Sequence, residues 1–350
     1  MVKRLFLHIG TPKSGTTSIQ RTLCAFSDSR DEPELYYPKS GRRARRLVGH
    51  HNLAYELYDP SKYEASLGGW ADLAEELETV ESEVAFLSSE AFRGFLAPVT
   101  AAKLRKLFSH LDNRVVLYLR PQWSYLESGY NQLFRFGRFH DSALAFYEGT
   151  GGRILDYRSY IEAWQKSMGK ENVICLPFTP ELMRDGVVTH LIDNILGRSI
   201  DLPEVERSNS KAGLLGLAAT RDAQAELREL TGDPNIELTP NTAQRLSLLF
   251  RDEPEETFDY TFFDQESLDR IYDDAISTNR WLAEEFDGFD TPSFLERPTP
   301  GHRVIATVLP VLSEEQKARY ADIVKAAAKS VRRARREAKQ EEENAVNDEN

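Results

Sequence analysis

The chain has 350 residues, of which 41% are hydrophobic and 29% charged, so it can bury a substantial core in one large domain or two. Its formal net charge of -12 argues against a nucleic acid partner, because nonspecific binding to a phosphate backbone requires a basic surface. We find no apolar run of about eighteen residues and no signal peptide core, and therefore expect no membrane span and a cytoplasmic location.

The first predicted elements are a short strand, a loop of small residues and a helix. Residues 5–9 are apolar, as in a buried strand, and apolar residues recur at helical spacing after residue 17. Loop N–H groups, the positive end of the helix dipole, several hydroxyls and one ammonium group would surround a volume of phosphate size. The sequence therefore predicts a site for a phosphorylated nucleotide. Its predicted ligands are Pro12, Lys13, Ser14, Gly15, Thr16 and Thr17.

This loop differs from the loop of nucleoside triphosphatases. Gly10 and Gly15 have the spacing of the pattern G-x-x-x-x-G-K-[ST], but Thr16 stands where the lysine belongs, and the lysine lies inside the loop as Lys13. An ATPase also needs an aspartate at a strand end to hold magnesium, and no such residue is evident. An ATP-dependent kinase with a variant loop is therefore the less favoured alternative.

Strand and helix patterns alternate over the following part of the chain. This alternation predicts a mainly parallel sheet with helices on its faces and right-handed crossovers. The predicted elements are a helix at 70–80, a strand at 84–88, a helix at 100–110, a strand at 115–119, a helix containing Ser128, a helix at 157–168, a strand at 173–176 and a helix at 181–196.

A second candidate phosphate ligand, Arg120, stands at the end of a predicted strand. Open α/β sheets bind ligands at the carboxyl ends of their strands, and a guanidinium group suits a dianionic phosphate. If Pro121 begins the next helix, Ser128 lies about two turns into it and can donate from the same side. Considered alone, these two residues would be interpreted as a surface arginine and an ordinary helical serine. The loop at residues 10–17 predicts a phosphate site nearby, and it therefore favours their interpretation as phosphate ligands.

The motif P-K-S-G-T-T at residues 12–17, followed by Arg120-Pro121 and by Ser128 eight positions after the arginine, resembles the donor-binding motifs of sulfotransferases. The resemblance implies an α/β fold of the P-loop NTPase-like sulfotransferase type, with three α/β/α layers, a central mainly parallel sheet and a helical C-terminal part. It implies that residues 12–17 bind the 5'-phosphosulfate of 3'-phosphoadenosine 5'-phosphosulfate (PAPS), and that Arg120 and Ser128 bind its 3'-phosphate. The motifs look most like those of bacterial and glycan sulfotransferases, so a carbohydrate acceptor is expected.

Other basic residues are open to two interpretations. Residues 206–213 resemble, more loosely, a late sulfotransferase loop that closes over the donor, but their spacing departs from the Arg-Lys-Gly pattern of the cytosolic enzymes. Arg207 and Lys211 are therefore either donor ligands or ordinary solvated loop residues. A second basic group either forms a solvated loop or lies near the donor or the acceptor, and it consists of Arg42, Arg43, Arg45 and Arg46.

The expected reaction is an in-line transfer in which positioning and electrostatics provide most of the catalysis. Lys13 suits the cation that stabilises the leaving phosphate. Glu90 follows the strand at 84–88, where the cytosolic family carries its catalytic histidine, and is the first candidate for the base. His51, or its neighbour His50, is the alternative base, whereas His8 is expected to be an ordinary strand residue. No metal-ligand spacing is visible, so no metal is expected.

The domain organisation is predicted from these motifs and from changes in composition. We expect a sulfotransferase domain at 1–300, with core motifs at 5–215 and a helical part at 216–300 that shapes the acceptor pocket. A C-terminal extension with a helix follows at 301–331, and a charged tail at 332–350 is expected to fray into disorder. A non-catalytic nucleotide-binding scaffold with the same fold is the third alternative.

Overall fold

The computed structural model of the chain describes residues 1–31, 33–43, 48–135, 142–203, 211–306 and 308–348, with the side chains of 150–154, 339 and 341–348 left out. Two compact units are present. The first, here called the sheet unit, consists of Met1–Tyr125, Arg153–Ser208 and Ile271–Arg297. The second, here called the helical unit, consists of Leu126–Gly152, Asn209–Arg270 and Pro298–Asn350.

Strands and helices alternate through the first half of the chain, and helices dominate the second half. The strands are β1 Arg4–His8, β2 Leu35–Tyr36, β3 Val84–Ser88, β4 Asp112–Leu119, β5 Val173–Pro177, β6 Tyr260–Thr261 and β7 Val304–Ile305. The helices are α1 Thr16–Asp28, α2 His51–Tyr58, α3 Trp70–Glu78, α4 Ala97–Leu107, α5 Gln122–Arg135, α6 Ala143–Ile154, α7 Tyr157–Met168, α8 Val187–Leu196, α9 Leu214–Thr231, α10 Pro240–Ser247, α11 Gln265–Glu285, α12 Pro292–Leu295 and α13 Glu314–Asp348. No helix in the described ranges is both long and apolar enough to span a membrane.

The sheet unit is built around five parallel strands in the order β2-β3-β1-β4-β5. The central strand β1 pairs with β3 and β4, so that Leu7 lies opposite Leu87 on one side and Val115 on the other. Because all strands are parallel, their carboxyl ends meet at one edge. The loop after β1 therefore lies beside the residues that follow β3 and β4, and the predicted parallel sheet is confirmed.

Helices cover both faces of this sheet. Successive strand side chains point to opposite faces, so Leu5 and Leu7 pack with the core that contains α3, α4 and α7. Phe6 packs on the other face with residues of α1 and α8. Full burial of a large apolar side chain such as Leu7 or Phe6 stabilises the fold by about 1.5–3 kcal/mol. The structure confirms the predicted three-layer α/β/α architecture.

The element bounds differ from the predicted ones at identifiable places. Strand β2 was not predicted, because a two-residue strand depends on its pairing with β3 rather than on a sequence pattern. The helix predicted at 181–196 begins only at Val187, because Gly186 has a φ of 94°, which a helix cannot include. Helix α13 continues to Asp348, where the sequence predicts a solvated helix that frays into disorder. Its Ala, Lys, Arg and Glu residues favour helix formation, and Arg333 pairs with Glu337 one turn later at 2.7 Å.

The helical unit has its own packing. Helix α9 packs against α10 and α13, and ten of its residues, from Leu214 to Leu227, are buried. Arg332 and Arg335 of α13 donate hydrogen bonds to the carbonyls of Leu230 and Thr231 at the C-terminal end of α9. Cationic side chains at this position also complement the negative end of the helix dipole. Strands β6 and β7 form a short parallel pair.

Candidate active site

The loop between β1 and α1 has the backbone of an anion-binding turn. Gly10 and Gly15 have φ values of 99° and 76°, and Lys13 has a φ of 67°. Gly15 directly precedes α1, and a Cβ at this position would lie only 2.8 Å from Cγ1 of Val187. Glycine is therefore required both by the backbone angle and by the close approach of α8. The first N–H groups of α1 have no acceptor within the helix and carry the positive end of its dipole.

Hydrogen bonds inside the loop fix its shape. The Thr11 hydroxyl donates to the Tyr118 carbonyl at 2.9 Å and lies 3.1 Å from the hydroxyl of Ser14, which is fully buried. The hydroxyl of Thr16 donates to the Thr11 carbonyl at 3.3 Å. The Ser14 and Thr16 hydroxyls thus support the loop from within, whereas Lys13 and Thr17 are half-buried and Pro12 is exposed.

Arg120 contacts this loop directly. One of its terminal nitrogens, Nη1, donates to the Lys13 carbonyl at 3.1 Å, and its Nε donates to the Ser124 hydroxyl at 2.8 Å. Its guanidinium carbon lies 5.4 Å from the centre of the Phe178 ring, and its own carbonyl accepts a hydrogen bond from the Tyr157 hydroxyl at 2.8 Å. The structure therefore brings together the two motifs that the sequence singled out in separate segments.

A cavity of about 330 Å³ lies next to Arg120 in the sheet unit. It is lined by Arg120, Pro121, Trp123, Ser124, Phe178, Thr179, Pro180, Glu181, Met183 and Ser293. Sequence reasoning missed Ser124, although it lies one helical turn after Arg120. It also missed Phe178, although this residue follows β5 at the sheet edge where Arg120 follows β4.

Two of the remaining predicted donor ligands belong to the helical unit. Ser128 is half-buried on α5 and belongs to the helical unit. Lys211 belongs to the same unit, where its ammonium donates to the Tyr260 carbonyl at 3.0 Å and lies 3.8 Å from the centre of the Tyr260 ring. Arg207 lies outside the described residues, as do Arg45 and Arg46. Donor binding by Ser128, Arg207 and Lys211 stays a prediction.

Two candidate bases lie together at the end of β3. The side chain of Glu90 packs beside the start of the loop between β1 and α1, because a Cβ on Gly10 would lie 3.5 Å from its Cγ. Its Oε2 accepts a hydrogen bond from the Gln20 amide at 3.2 Å and lies 3.8 Å from Nε2 of His51. The other ring nitrogen of His51, Nδ1, lies 2.6 Å from the Ser89 hydroxyl. Burial lowers the pKa of His51, and the Glu90 carboxylate opposes this shift.

His50 has a structural role instead. Its ring is fully buried, and Nδ1 accepts a hydrogen bond from the Ser88 N–H at 3.1 Å, which leaves the ring proton on Nε2. Nε2 then donates to the Pro38 carbonyl at 2.9 Å. Burial lowers the pKa of His50 to about 3, and it does the same to His8, whose Nδ1 lies 2.8 Å from the Ser88 hydroxyl. With both of its nitrogens bonded inside the protein, His50 has no ring atom left for a substrate proton.

Two members of the predicted basic group, Arg42 and Arg43, are paired within the protein. Arg42 binds the Asp28 carboxylate at 2.6 Å and the Cys24 sulfur at 2.8 Å, and Arg43 pairs with Glu64. Within the described ranges, no group of three or more His, Cys, Asp or Glu side chains is placed to hold a metal ion.

Comparisons with known proteins give a similarity in structure but none in sequence family. No family model matches the sequence, and no curated protein matches it. The fold is similar to that of the solved structure of a sulfotransferase from Alicyclobacillus acidocaldarius, which shares 20% sequence identity over 67% of this chain and 97% of that chain, with a TM-score of 0.37. A similarity of this extent does not establish a function, so the functional assignment depends on the site itself.

Proposed function

We propose that the protein is a sulfotransferase that moves the sulfuryl group of PAPS to a hydroxyl or amine of an acceptor, with a carbohydrate as the expected acceptor class. The observation that carries this proposal is the contact between Arg120 and the loop at Lys13, at 3.1 Å. A bisphosphorylated donor needs two cationic positions a short distance apart. This chain provides one in the loop after β1 and another at the end of β4.

The local geometry supports a division of the donor between these positions. The start of α1 and the ammonium of Lys13 would bind the 5'-phosphosulfate, and Arg120 with Ser124 would bind the 3'-phosphate. The cavity beside Arg120 falls within the range of small-molecule sites, roughly 300–1,000 Å³, and the ring of Phe178 offers it an apolar face. Ser128, Arg207 and Lys211 remain candidate ligands through the family resemblance alone.

In the proposed reaction, a lone pair of the acceptor oxygen or nitrogen forms a bond to sulfur while the bond between sulfur and the bridging oxygen breaks. The electron pair of that bond remains on the 5'-phosphate, and the product is adenosine 3',5'-bisphosphate. The ammonium of Lys13 stabilises the negative charge that develops on the bridging oxygen. The acceptor proton passes to a base of the protein.

We assign this base to Glu90, with His51 as the alternative. The Gln20 amide holds Oε2 of Glu90, which orients the carboxylate beside the loop. His51 is the alternative because its ring is half-buried and its Nε2 lies 3.8 Å from Oε2 of Glu90. The general-base role in either case is worth about 10²–10⁴-fold in rate.

A thermal-shift titration in EDTA tests the donor assignment. We expect adenosine 3',5'-bisphosphate to raise the melting temperature more than ADP or ATP, because a ligand that binds only the native state stabilises it, by about 2.7 kcal/mol at a hundred times its dissociation constant. No response to the bisphosphate, together with a magnesium-dependent response to ATP in a parallel titration without EDTA, would contradict the proposal and favour the variant kinase.

A further inference from the structure

A row of aromatic side chains leads away from the candidate bases. His51 and Tyr55 have ring centroids 6.4 Å apart, and Tyr55 and Tyr58 have centroids 6.0 Å apart. These three residues lie on one face of α2, because they are spaced four and three positions apart. Phe95, in a short 3-10 helix after β3, continues the row with its ring 5.7 Å from that of Tyr58. Tyr55, Tyr58 and Phe95 are here called the aromatic row.

The outer end of this row is open to solvent. Phe95 is 64% exposed, and the two tyrosines are half-buried. A single exposed aromatic residue is common on protein surfaces, but three adjoining rings that start at a candidate base are typical of a binding surface. Exposure of Phe95 does not stabilise the fold, because burial of apolar area is what stabilises a protein, by about 25 cal/mol per Å².

Hydrogen-bonding groups border the same rings. The Lys62 ammonium lies 5.7 Å from the centre of the Tyr55 ring and pairs with Asp59 at 2.6 Å. At the inner end, burial and the charge of Arg43, which forms a partly exposed ion pair with Glu64, lower the pKa of His51. A surface that combines aromatic faces with exposed charged groups suits a ligand that has apolar faces and polar edges.

We propose that the aromatic row is the acceptor-binding surface and that it holds a chain of linked sugar rings, an inference that rests on the proposed function. The C–H groups of a sugar ring carry a small positive charge and pack on the negative face of an aromatic ring, while the sugar hydroxyls reach the bordering polar groups. The sugar at the inner end, next to His51, would present its hydroxyl to Glu90. A phenol or another acceptor with one ring would cover a single member of the row and leave Phe95 exposed. A chain of sugars covers all three rings.

The test measures binding of purified protein to neutral and uronic-acid-containing oligosaccharides of increasing length, with Phe95→Ala and Tyr55→Ala as variants. We expect at least one series to bind more tightly as its chain lengthens. Phe95→Ala should weaken binding of the long members by about three- to tenfold and leave the shortest members unchanged. Phe258→Ala is the matched control, because Phe258 is also an exposed aromatic residue, at 38%, but lies in the helical unit.

Several results would overturn the proposal: no binding to any oligosaccharide, equal binding by the wild type and both variants, or tighter binding of single-ring phenols than of any sugar chain. Self-association that Phe95→Ala abolishes, measured by sedimentation velocity, would also overturn it, since a second copy would then cover the row. The same samples are titrated with adenosine 3',5'-bisphosphate. Oligosaccharide binding without a response to the bisphosphate would refute the sulfotransferase assignment but leave sugar binding by the aromatic row in place. A response to the bisphosphate without oligosaccharide binding would refute only the role of the aromatic row.

Discussion

Lys13 is the residue on which the proposed chemistry depends most directly. Its positive φ and the hydrogen bond from Arg120 to its carbonyl fix its backbone in the loop, and its ammonium is assigned to the leaving phosphate. We predict that Lys13→Ala lowers turnover of PAPS by about 10²–10³-fold or more, as expected when a group that stabilises transition-state charge is removed. The melting temperature should stay within a few degrees of the wild-type value. Lys39→Ala, at an exposed lysine, is the control, and normal turnover of Lys13→Ala would remove Lys13 from the mechanism.

Glu90 and His51 can be distinguished by substitution. Glu90→Gln keeps the size of the side chain and removes its basicity, so we predict a loss of about a hundredfold or more in turnover with binding of the bisphosphate little changed. His51→Gln should cost less if it only borders the carboxylate at 3.8 Å. Release of the bisphosphate from PAPS in the presence of an acceptor measures both variants. Near-normal turnover of Glu90→Gln combined with an inactive His51→Gln would transfer the role to His51.

His50 and His8 should make the stability of the protein depend on pH. The pKa of each is lowered by burial from an ordinary value of about 6.5 to about 3, so the unfolded chain binds more protons between these values. The free energy of unfolding is therefore highest above about pH 6.5 and falls as the pH decreases, by up to about 1.4 kcal/mol per pH unit for each histidine. Urea unfolding at several pH values measures this slope.

The contribution of His50 can be isolated with His50→Gln. This substitution should reduce the pH dependence of the unfolding free energy by the contribution of one histidine. His110→Gln, at an exposed histidine, should leave it at the wild-type value. Equal slopes in His50→Gln and the wild type would show that His50 is not held neutral by the fold.

At the scale of elements, the turn from loop into α1 depends on Gly15. Gly15→Ala would place a side chain at a φ of 76°, at a cost of roughly 1–2 kcal/mol, and would bring its Cβ within 2.8 Å of Val187. We predict a lower melting temperature and weaker binding of the bisphosphate. Gly197→Ala is a matched control, because its φ is 67° but no heavy atom lies within 4 Å of the added Cβ. If Gly15→Ala and Gly197→Ala change the melting temperature and the bisphosphate affinity equally, crowding of residue 15 against α8 does not contribute to the effect.

Elements with strong local patterns were predicted closely, and elements that depend on packing were not. The strand β3 and the helix α7 occur at the predicted bounds, because apolar runs and helical spacing are local properties of the sequence. Strand β2 exists only through its pairing with β3, and the start of α8 depends on the backbone of Gly186. Neither the pairing of β2 nor the start of α8 produces a hydrophobic periodicity in the sequence.

The same distinction applies to the candidate site. The contact of Arg120 with the loop between β1 and α1 could be predicted from one rule, that the carboxyl ends of parallel strands lie at the same edge of the sheet. The pairing of Arg120 with Ser124 and Phe178, and the cavity beside them, depends on side-chain packing that spacing does not reveal. Sequence reasoning also could not separate His50 from His51. Only the contacts to Ser88 and Pro38 identify His50 as structural.

At the scale of the whole molecule, the donor proposed here is an anion bound by a protein with a net charge of -12. Binding therefore requires local cations that outweigh the general repulsion, and the sheet unit provides Lys13 and Arg120 at one edge of its sheet. The second phosphate of the donor is the feature that separates PAPS from ordinary adenine nucleotides. Recognition of that phosphate is the central claim of the proposed function.

The most direct test is isothermal titration of the wild type and Arg120→Ala with adenosine 3',5'-bisphosphate and with AMP, which lacks the 3'-phosphate. We predict that the wild type binds the bisphosphate at least about tenfold more tightly than AMP, as a charge-assisted contact worth about 1.5–3 kcal/mol would give. Arg120→Ala should lose most of this difference and keep its affinity for AMP. Equal affinities of the wild type for both nucleotides, or an unchanged preference in Arg120→Ala, would contradict the account.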